Sequence, residues 1–354
     1  MTPDILRTFR PWLCILLGAG ATSGASAGPV QVERGEPSID RWVYPFNSTR
    51  GYRAVISTFS ALGQENAFPP LSFDQRDGQM LVGFETTPEI PAGRGVCGYR
   101  VTAARVVLTV AEPDAFRYDA TYDGWMTYLP GSGDSDGRPV EMYGAAFRAP
   151  WTAATYFEGD PLNPGPAFGP STSSDVRYVY PTDFPGGVER DVSNNVRDGF
   201  DPAPFAIGRN PALAAGAFVP VDTELTFELD VDQPDVQAYL KRQLDSGRLR
   251  LLATSLQPAA TGGGGGPGTG EFATFYAKEI EIAGFAARLS MTVVLTPAGD
   301  ADGSGTVDFD DITTVLSRWL DTGLAGLEGD ANCDGVVDFD DITEILSMWL
   351  ETGP

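Results

Sequence analysis

One acidic motif is written twice near the C-terminal end of this chain, as GDADGSGTVDFDDITTVLSRWL and again as GDANCDGVVDFDDITEILSMWL. Asp300 and Asp330 open the two copies, 30 residues apart by their positions, and the match runs through to the final Trp-Leu. Self-similarity at a fixed period marks a duplicated structural unit. Each copy sets oxygen-bearing side chains at alternating positions, then Gly, then a β-branched residue and further Asp. A short loop of that kind can converge its oxygens on one hard cation. From Gly299 onward fourteen carboxylates face Arg318 alone. Such a segment repels itself unless cations bind, and it argues against nucleic acid as a partner. Folding of the tail and cation binding are therefore expected to be coupled.

In a twelve-position EF-hand loop, side-chain oxygens fall at positions one, three, five, nine and twelve, a backbone carbonyl at seven and Gly at six. On that template the first copy offers Asp300, Asp302, Ser304, Thr306, Asp308 and Asp311, with Gly305 at the turn. The second offers Asp330, Asn332, Asp334, Val336, Asp338 and Asp341, with Gly335 at the turn. Two calcium ions are expected, at intermediate affinity, because each loop supplies four carboxylates. Val307 and Val337 are expected to pair as a short strand between the loops. Ile312, Val315, Leu316, Trp319 and Leu320, with Ile342, Ile345, Leu346, Trp349 and Leu350, recur at helical spacing and are expected to pack the two copies together.

The template is departed from in two ways: position twelve is Asp rather than Glu, and no helix-forming stretch precedes either loop. Loop followed by helix, twice, resembles a type I dockerin over nearly the whole tail. That resemblance implies a cohesin-like protein partner, two equivalent binding faces, and contact through the late-loop pairs Phe309-Asp310 and Phe339-Asp340. Those pairs are commonly small and hydroxylic in cellulosomal dockerins. The other reading of each Phe is packing beneath its own loop.

At the other end, Arg7 and Arg10 precede an apolar run from Trp12 through Ala21, followed by Ala25-Ser26-Ala27. This is the layout of a secretory signal peptide over 1–27, with the mature chain starting near Gly28. A secreted protein, extracellular or at the cell surface, is expected. No stretch approaches the roughly 20 apolar residues of a spanning helix. The chain has 3 Cys, of which Cys14 falls in the leader. Cys97 and Cys333 remain, either bridged, which would tether the tail to the rest, or separate.

The chain contains no histidine. That excludes Ser-His-Asp and Cys-His nucleophile pairs, His-liganded zinc and a histidine pH switch built from this chain alone. Between Arg41 and Leu295, short period-two apolar runs bounded by some of the 42 Gly and 28 Pro indicate a mainly β domain. Strands are expected at 42–44, 54–59, 79–86, 98–110, 176–179, 224–231, 249–255, 271–276 and 289–295. One short helix is expected from Pro234 to a stop at Gly247, with Val236, Tyr239, Leu240 and Leu244 on its apolar stripe. The Gly262–Gly266 run reads as a flexible connection. The expected architecture is a jelly-roll-like two-sheet sandwich with long loops over 28–296, followed by a small α, EF-hand-like domain over 297–354.

The segments Asp40-Arg41-Trp42, 81–85, 101–106, 275–279 and 287–289 resemble, in order, the DNRLRE-type sandwiches of secreted bacterial proteins, which are akin to carbohydrate-binding modules. That resemblance implies the jelly-roll-like fold more than any ligand; the expectation of a polysaccharide partner comes from the aromatic-rich middle. Between Pro113 and Pro220 the aromatics Tyr122, Trp125, Trp151, Tyr156, Tyr178 and Tyr180 could line a sugar cleft or anchor the loops. The leading expectation is a non-catalytic glycan-binding or surface-associated protein with a calcium-dependent docking module. The alternatives are a polysaccharide-degrading hydrolase or lyase, with Asp119, Asp123, Glu141, Glu158, Asp175 and Asp183 as candidate carboxylates, and a structural matrix protein. No spacing among those six selects a catalytic pair.

Overall fold

The period-two segments form antiparallel sheets in the computed structural model, which describes residues 28–44, 53–62, 74–129, 137–156, 158, 178–259 and 271–350. The leader at 1–27, Asp175, Val176 and the Gly-rich run lie outside the described residues. In chain order the strands are β1 (Val30–Arg34), β2 (Ile39–Val43), β3 (Val55–Ser57), β4 (Phe59–Ser60), β5 (Arg76–Glu85), β6 (Tyr99–Thr109) and β7 (Val140–Phe147). They continue as β8 (Val179–Asp183), β9 (Arg190–Asp191), β10 (Ala206–Ile207), β11 (Glu224–Glu228), β12 (Arg248–Ser255), β13 (Thr274–Tyr276) and β14 (Arg288–Leu295). One sheet runs β1-β14-β6-β11; the larger runs β2-β5-β12-β7-β8-β9, with β10 beside β7 and β4 beside β5, and β3 pairs β13. The helices are α1 (Asn195–Asp198), α2 (Pro234–Asp245), α3 (Phe309–Ser317) and α4 (Phe339–Ser347).

Strand β6 shows how the alternation is kept in phase. Tyr99 and Val101 are buried, Thr102 and Ala103 are both exposed, and burial resumes at Ala104, Val106 and Leu108. The step coincides with a register shift opposite Thr292 and Val293 of β14. A bulge adds one residue and restores the apolar face. The larger sheet is buried on both sides. Met80, Val82 and Phe84 of β5 and Leu249, Leu251 and Ala253 of β12 join Val101, Val106 and Leu108 of β6 in the main core. Leu81, Leu252, Ile39 and Val43 point the other way and are covered by Tyr156, with Trp151 and Tyr178 packed alongside. The long middle connection thus roofs the second face.

Two features go beyond the sequence reading, one unforeseen and one left open. The eight-residue strand β7 falls between Pro113 and Pro220, where loops and no strand before 176 are expected. A Cβ on Gly144 would lie 2.8 Å from the Tyr239 ring, so the glycine admits α2 against the sheet. The Tyr239 hydroxyl accepts from Ala145 N at 2.9 Å and donates to the Arg250 carbonyl at 2.5 Å. Tyr239→Phe leaves both backbone groups short of a partner and is expected to lower stability by about 1–3 kcal/mol. Urea unfolding measures this; an unchanged midpoint would refute it.

The second feature is the attachment of the tail. Cys97 and Cys333 form a disulfide, their Cα atoms 6.0 Å apart. Leu324 is buried in the main core, Lys241 Nζ donates to Gly326 O at 2.8 Å, and Arg100 Nη1 donates to Asp302 O at 2.7 Å. The tail is therefore seated on the β domain at the end where α2 lies. No helix among the described residues is long and apolar enough to cross a membrane.

Within the tail the copies interlock differently from expectation. Val307 and Val337 are fully buried but do not pair with each other. Leu320 N bonds Val337 O at 2.9 Å, and Leu350 N bonds Val307 O at 3.0 Å. The chain leaving each helix thus closes against the other copy's loop. The small core holds Ala301, Val307, Val315, Ala331, Val337 and Ile345, with Ile312 and Ile342 partly buried. Leu316, Trp319, Leu320 and their counterparts point outward instead. A nine-residue helix lying on so small a core can bury only a narrow stripe.

Candidate functional site

Each loop is organised by its first Asp. Asp300 accepts from Ser304 N at 3.0 Å and Gly305 N at 2.7 Å. Asp330 accepts from Asp334 N and Gly335 N, both at 3.0 Å. Gly305 and Gly335, at φ 93° and 86°, take the left-handed turn that draws those amides inward. Asp302 and Asn332 accept from the amides two residues on, at 2.8 and 2.9 Å. Ser304 Oγ donates to Thr306 O at 3.2 Å, while Asp334 Oδ1 accepts from Val336 N at 2.9 Å. Asp308 and Asp338 cap α3 and α4 through Asp310 N and Asp340 N, at 2.9 and 2.8 Å.

Asp311 and Asp341 are fully buried at the helix starts. Asp311 accepts from Ala301 N, Asp302 N and Asp308 N, at 2.7, 3.0 and 2.7 Å, so it staples loop to helix. Carboxylate oxygens of Asp300, Asp302 and Asp311 all lie within 4.8 Å of one another. Burial, then the nearby Asp302 and Asp311, pushes the Asp300 carboxyl up to about 7. Burial likewise raises Asp311, Asp330 and Asp341. Oxygen donors without nitrogen or sulfur ligands, gathered on a tight turn, fit a hard divalent ion.

The outward face of the tail has matching halves. Phe309 and Phe339 are 64% and 66% exposed, Leu316 and Leu346 58% and 57%, Trp319 and Trp349 42% and 40%, and Leu320 and Leu350 68% and 70%. Neither Phe packs under its own loop. Asp310 and Asp340 beside them are exposed too.

Among the described residues, each candidate carboxylate of the β domain is engaged by other side chains or amides. Asp123 pairs with Arg138 at 2.9 Å and Asp183 with Arg190 at 2.5 Å. Glu141 is buried against Arg76 and accepts from Tyr143 Oη at 3.1 Å. Asp119 accepts from Thr121 N and Oγ1, at 2.8 and 2.6 Å. Glu158 meets Lys278. Of the aromatics, Trp151, Tyr156 and Tyr178 anchor the roof over the larger sheet. Tyr180 Oη donates to Glu189 at 2.6 Å, and Tyr122 is 41% exposed.

Sequence reading missed the grouping of Asp40, Glu158 and Glu279, one oxygen of each lying within 4.8 Å of the others. Burial first, with Glu158 adding repulsion, raises Asp40 to about 7; burial, then Asp40 and Glu158, raises Glu279 to about 8. Its members come from three distant segments, which no local spacing can reveal. No family model matches the chain, and no curated protein matches it.

Proposed function

We propose that this is a secreted, non-catalytic β-sandwich protein, jelly-roll-like and glycan-binding or surface-associated, that attaches to a cohesin-like protein through a calcium-dependent, dockerin-like tail. The observation that carries this reading is the pairwise equal exposure of large apolar side chains on the two copies, Phe309 with Phe339 and Leu320 with Leu350 above all. Contiguous exposed apolar residues mark a protein-binding surface, and a duplicated one offers the same face twice. Calcium enters because the Asp300, Asp302 and Asp311 carboxylates gather with no cationic side chain bonded to them among the described residues. The disulfide adds a reason for the seating: it turns the loops toward the β domain and leaves both helices facing outward.

The test is binding of the full chain to a panel of immobilised cohesin domains in millimolar calcium and in EDTA. Binding is expected only with calcium. Phe309→Asp or Phe339→Asp alone should weaken it by about twofold, because the other face still serves. The double variant should lose about a hundredfold or more, as expected when central aromatic anchors are removed. Failure of every cohesin to bind would remove the partner class, and a glycan array without hits would remove the glycan ligand.

A further inference from the structure

Asp40 is fully buried on β2, the edge strand of the larger sheet. Its Oδ2 accepts from Lys278 N at 2.7 Å, but its Oδ1 is buried with no hydrogen-bond partner. Glu158 Oε1 and Glu279 Oε2 are buried and unpartnered as well. Glu158 lies on the connection between β7 and β8, and Glu279 on the turn Lys278–Ile280 after β13. The three carboxylates meet within 4.8 Å. Lys278 Nζ pairs with Glu158 and also donates to Ser38 O at 3.2 Å. Arg41 donates to the backbone carbonyl of Glu158. Three carboxylates thus face one another beside the Lys278 ammonium, each with a buried oxygen that has no hydrogen-bond partner among the described residues. Burying anionic oxygen in that way costs several kcal/mol unless a counter-charge is supplied.

The geometry points to a cation site in the β domain, separate from the tail loops, in which Asp40, Glu158 and Glu279 hold one calcium ion and fasten the covering connection to the sheet edge. The ligand class follows from the donors. All are carboxylate oxygens, which excludes a preference for zinc or copper. They come from a strand, a loop and a turn in irregular array, which calcium tolerates and magnesium does not. The consequence is mechanical: the ion joins β2, the roof over the outer core and the segment after β13, adding to the Lys278 contacts, the Arg41 bond to the Glu158 carbonyl and the packing of Tyr156.

The site does not rest on the tail reading, and the test keeps the two apart. Calcium chloride is titrated calorimetrically into the metal-free full chain and into an Asp300→Ala/Asp330→Ala variant with disabled loops. The variant is expected to bind one equivalent still, and its melting temperature to rise with calcium. Adding Glu279→Gln, or separately Glu158→Gln, should weaken that residual binding at least tenfold. Glu279 is only partly buried, so its amide variant is expected to fold even if Asp40→Asn does not. No calcium bound by the loop-disabled chain would overturn the site, as would residual binding unchanged by both amide variants. Failure of the tail reading would instead appear as equal stoichiometry in the wild type and the loop-disabled chain.

Discussion

Reduction of the Cys97–Cys333 disulfide is expected to loosen the tail from the β domain and to lower the stability of the whole chain by up to ~5 kcal/mol. That figure is the chain-entropy limit for a bridge spanning 236 residues, since cross-linking so large a loop removes much of the freedom of the unfolded state. The loss falls short of the limit to the extent that Leu324, Lys241 and Arg100 keep the tail seated. Cys333 has φ 64°, a left-handed backbone, and the matching residue of the first copy is Gly303 at φ 72°. A cysteine there is held at a conformation glycine takes freely. In a Cys97→Ser background, Cys333→Gly is therefore expected to be more stable than Cys333→Ser by about 1 kcal/mol. Urea unfolding of the two variants and of the reduced wild type reads both effects. Equal stability of oxidised and reduced protein would show that the bridge constrains nothing.

What could be read from the residues depended on how local the cause was. The two loops were legible because duplication repeats every role, from Asp300 and Asp330 to Gly305 and Gly335, at a spacing fixed by chain geometry. Strand β6 and helix α2 were legible because the Tyr99–Leu108 alternation and the Val236–Leu244 stripe each declare their own period. Strand β7 was not, because Gly144 serves the Tyr239 ring packed over it, a neighbour that is remote in sequence. Periodicity also placed Leu316, Trp319 and Leu320 between the two copies, but it cannot tell how wide a stripe the small core covers. Here the other copy buries Val315 and Ile345, partly covers Ile312 and Ile342, and leaves Leu316, Trp319, Leu320 and their counterparts to solvent. The disulfide was one of two open readings, since pairing depends on where the tail sits. The Asp40, Glu158 and Glu279 grouping arises only when three segments meet at a sheet edge.

Withdrawal of calcium is expected to open the tail, and the size of the effect is expected to depend on pH. On the proposed calcium reading, at concentrations a hundredfold above the dissociation constant each loop would gain about 2.7 kcal/mol from binding that favours the folded state. The copies share one core and close on each other's loops, so the two gains act on one unit. Without calcium the carboxyl of Asp300 is raised to about 7 from its ordinary 3.8, burial being the main cause. Between those values the folded tail holds a proton that the unfolded tail has released. Its calcium-free stability is therefore complete below about 4 and falls as pH rises towards about 7. Asp311, Asp330 and Asp341, also raised by burial, act in the same direction. Calcium requires ionised carboxylates, so its contribution grows over the same range. Amide exchange of α3 and α4 in the full chain should therefore show a small difference between EDTA and calcium near pH 5 and a large one near pH 7.5. Asp300→Asn should protect the calcium-free tail at neutral pH while shrinking its response to calcium, because one substitution removes both the buried charge and a ligand. Exchange that ignores calcium at both pH values would mean that the buried carboxylates are held by their backbone amides alone.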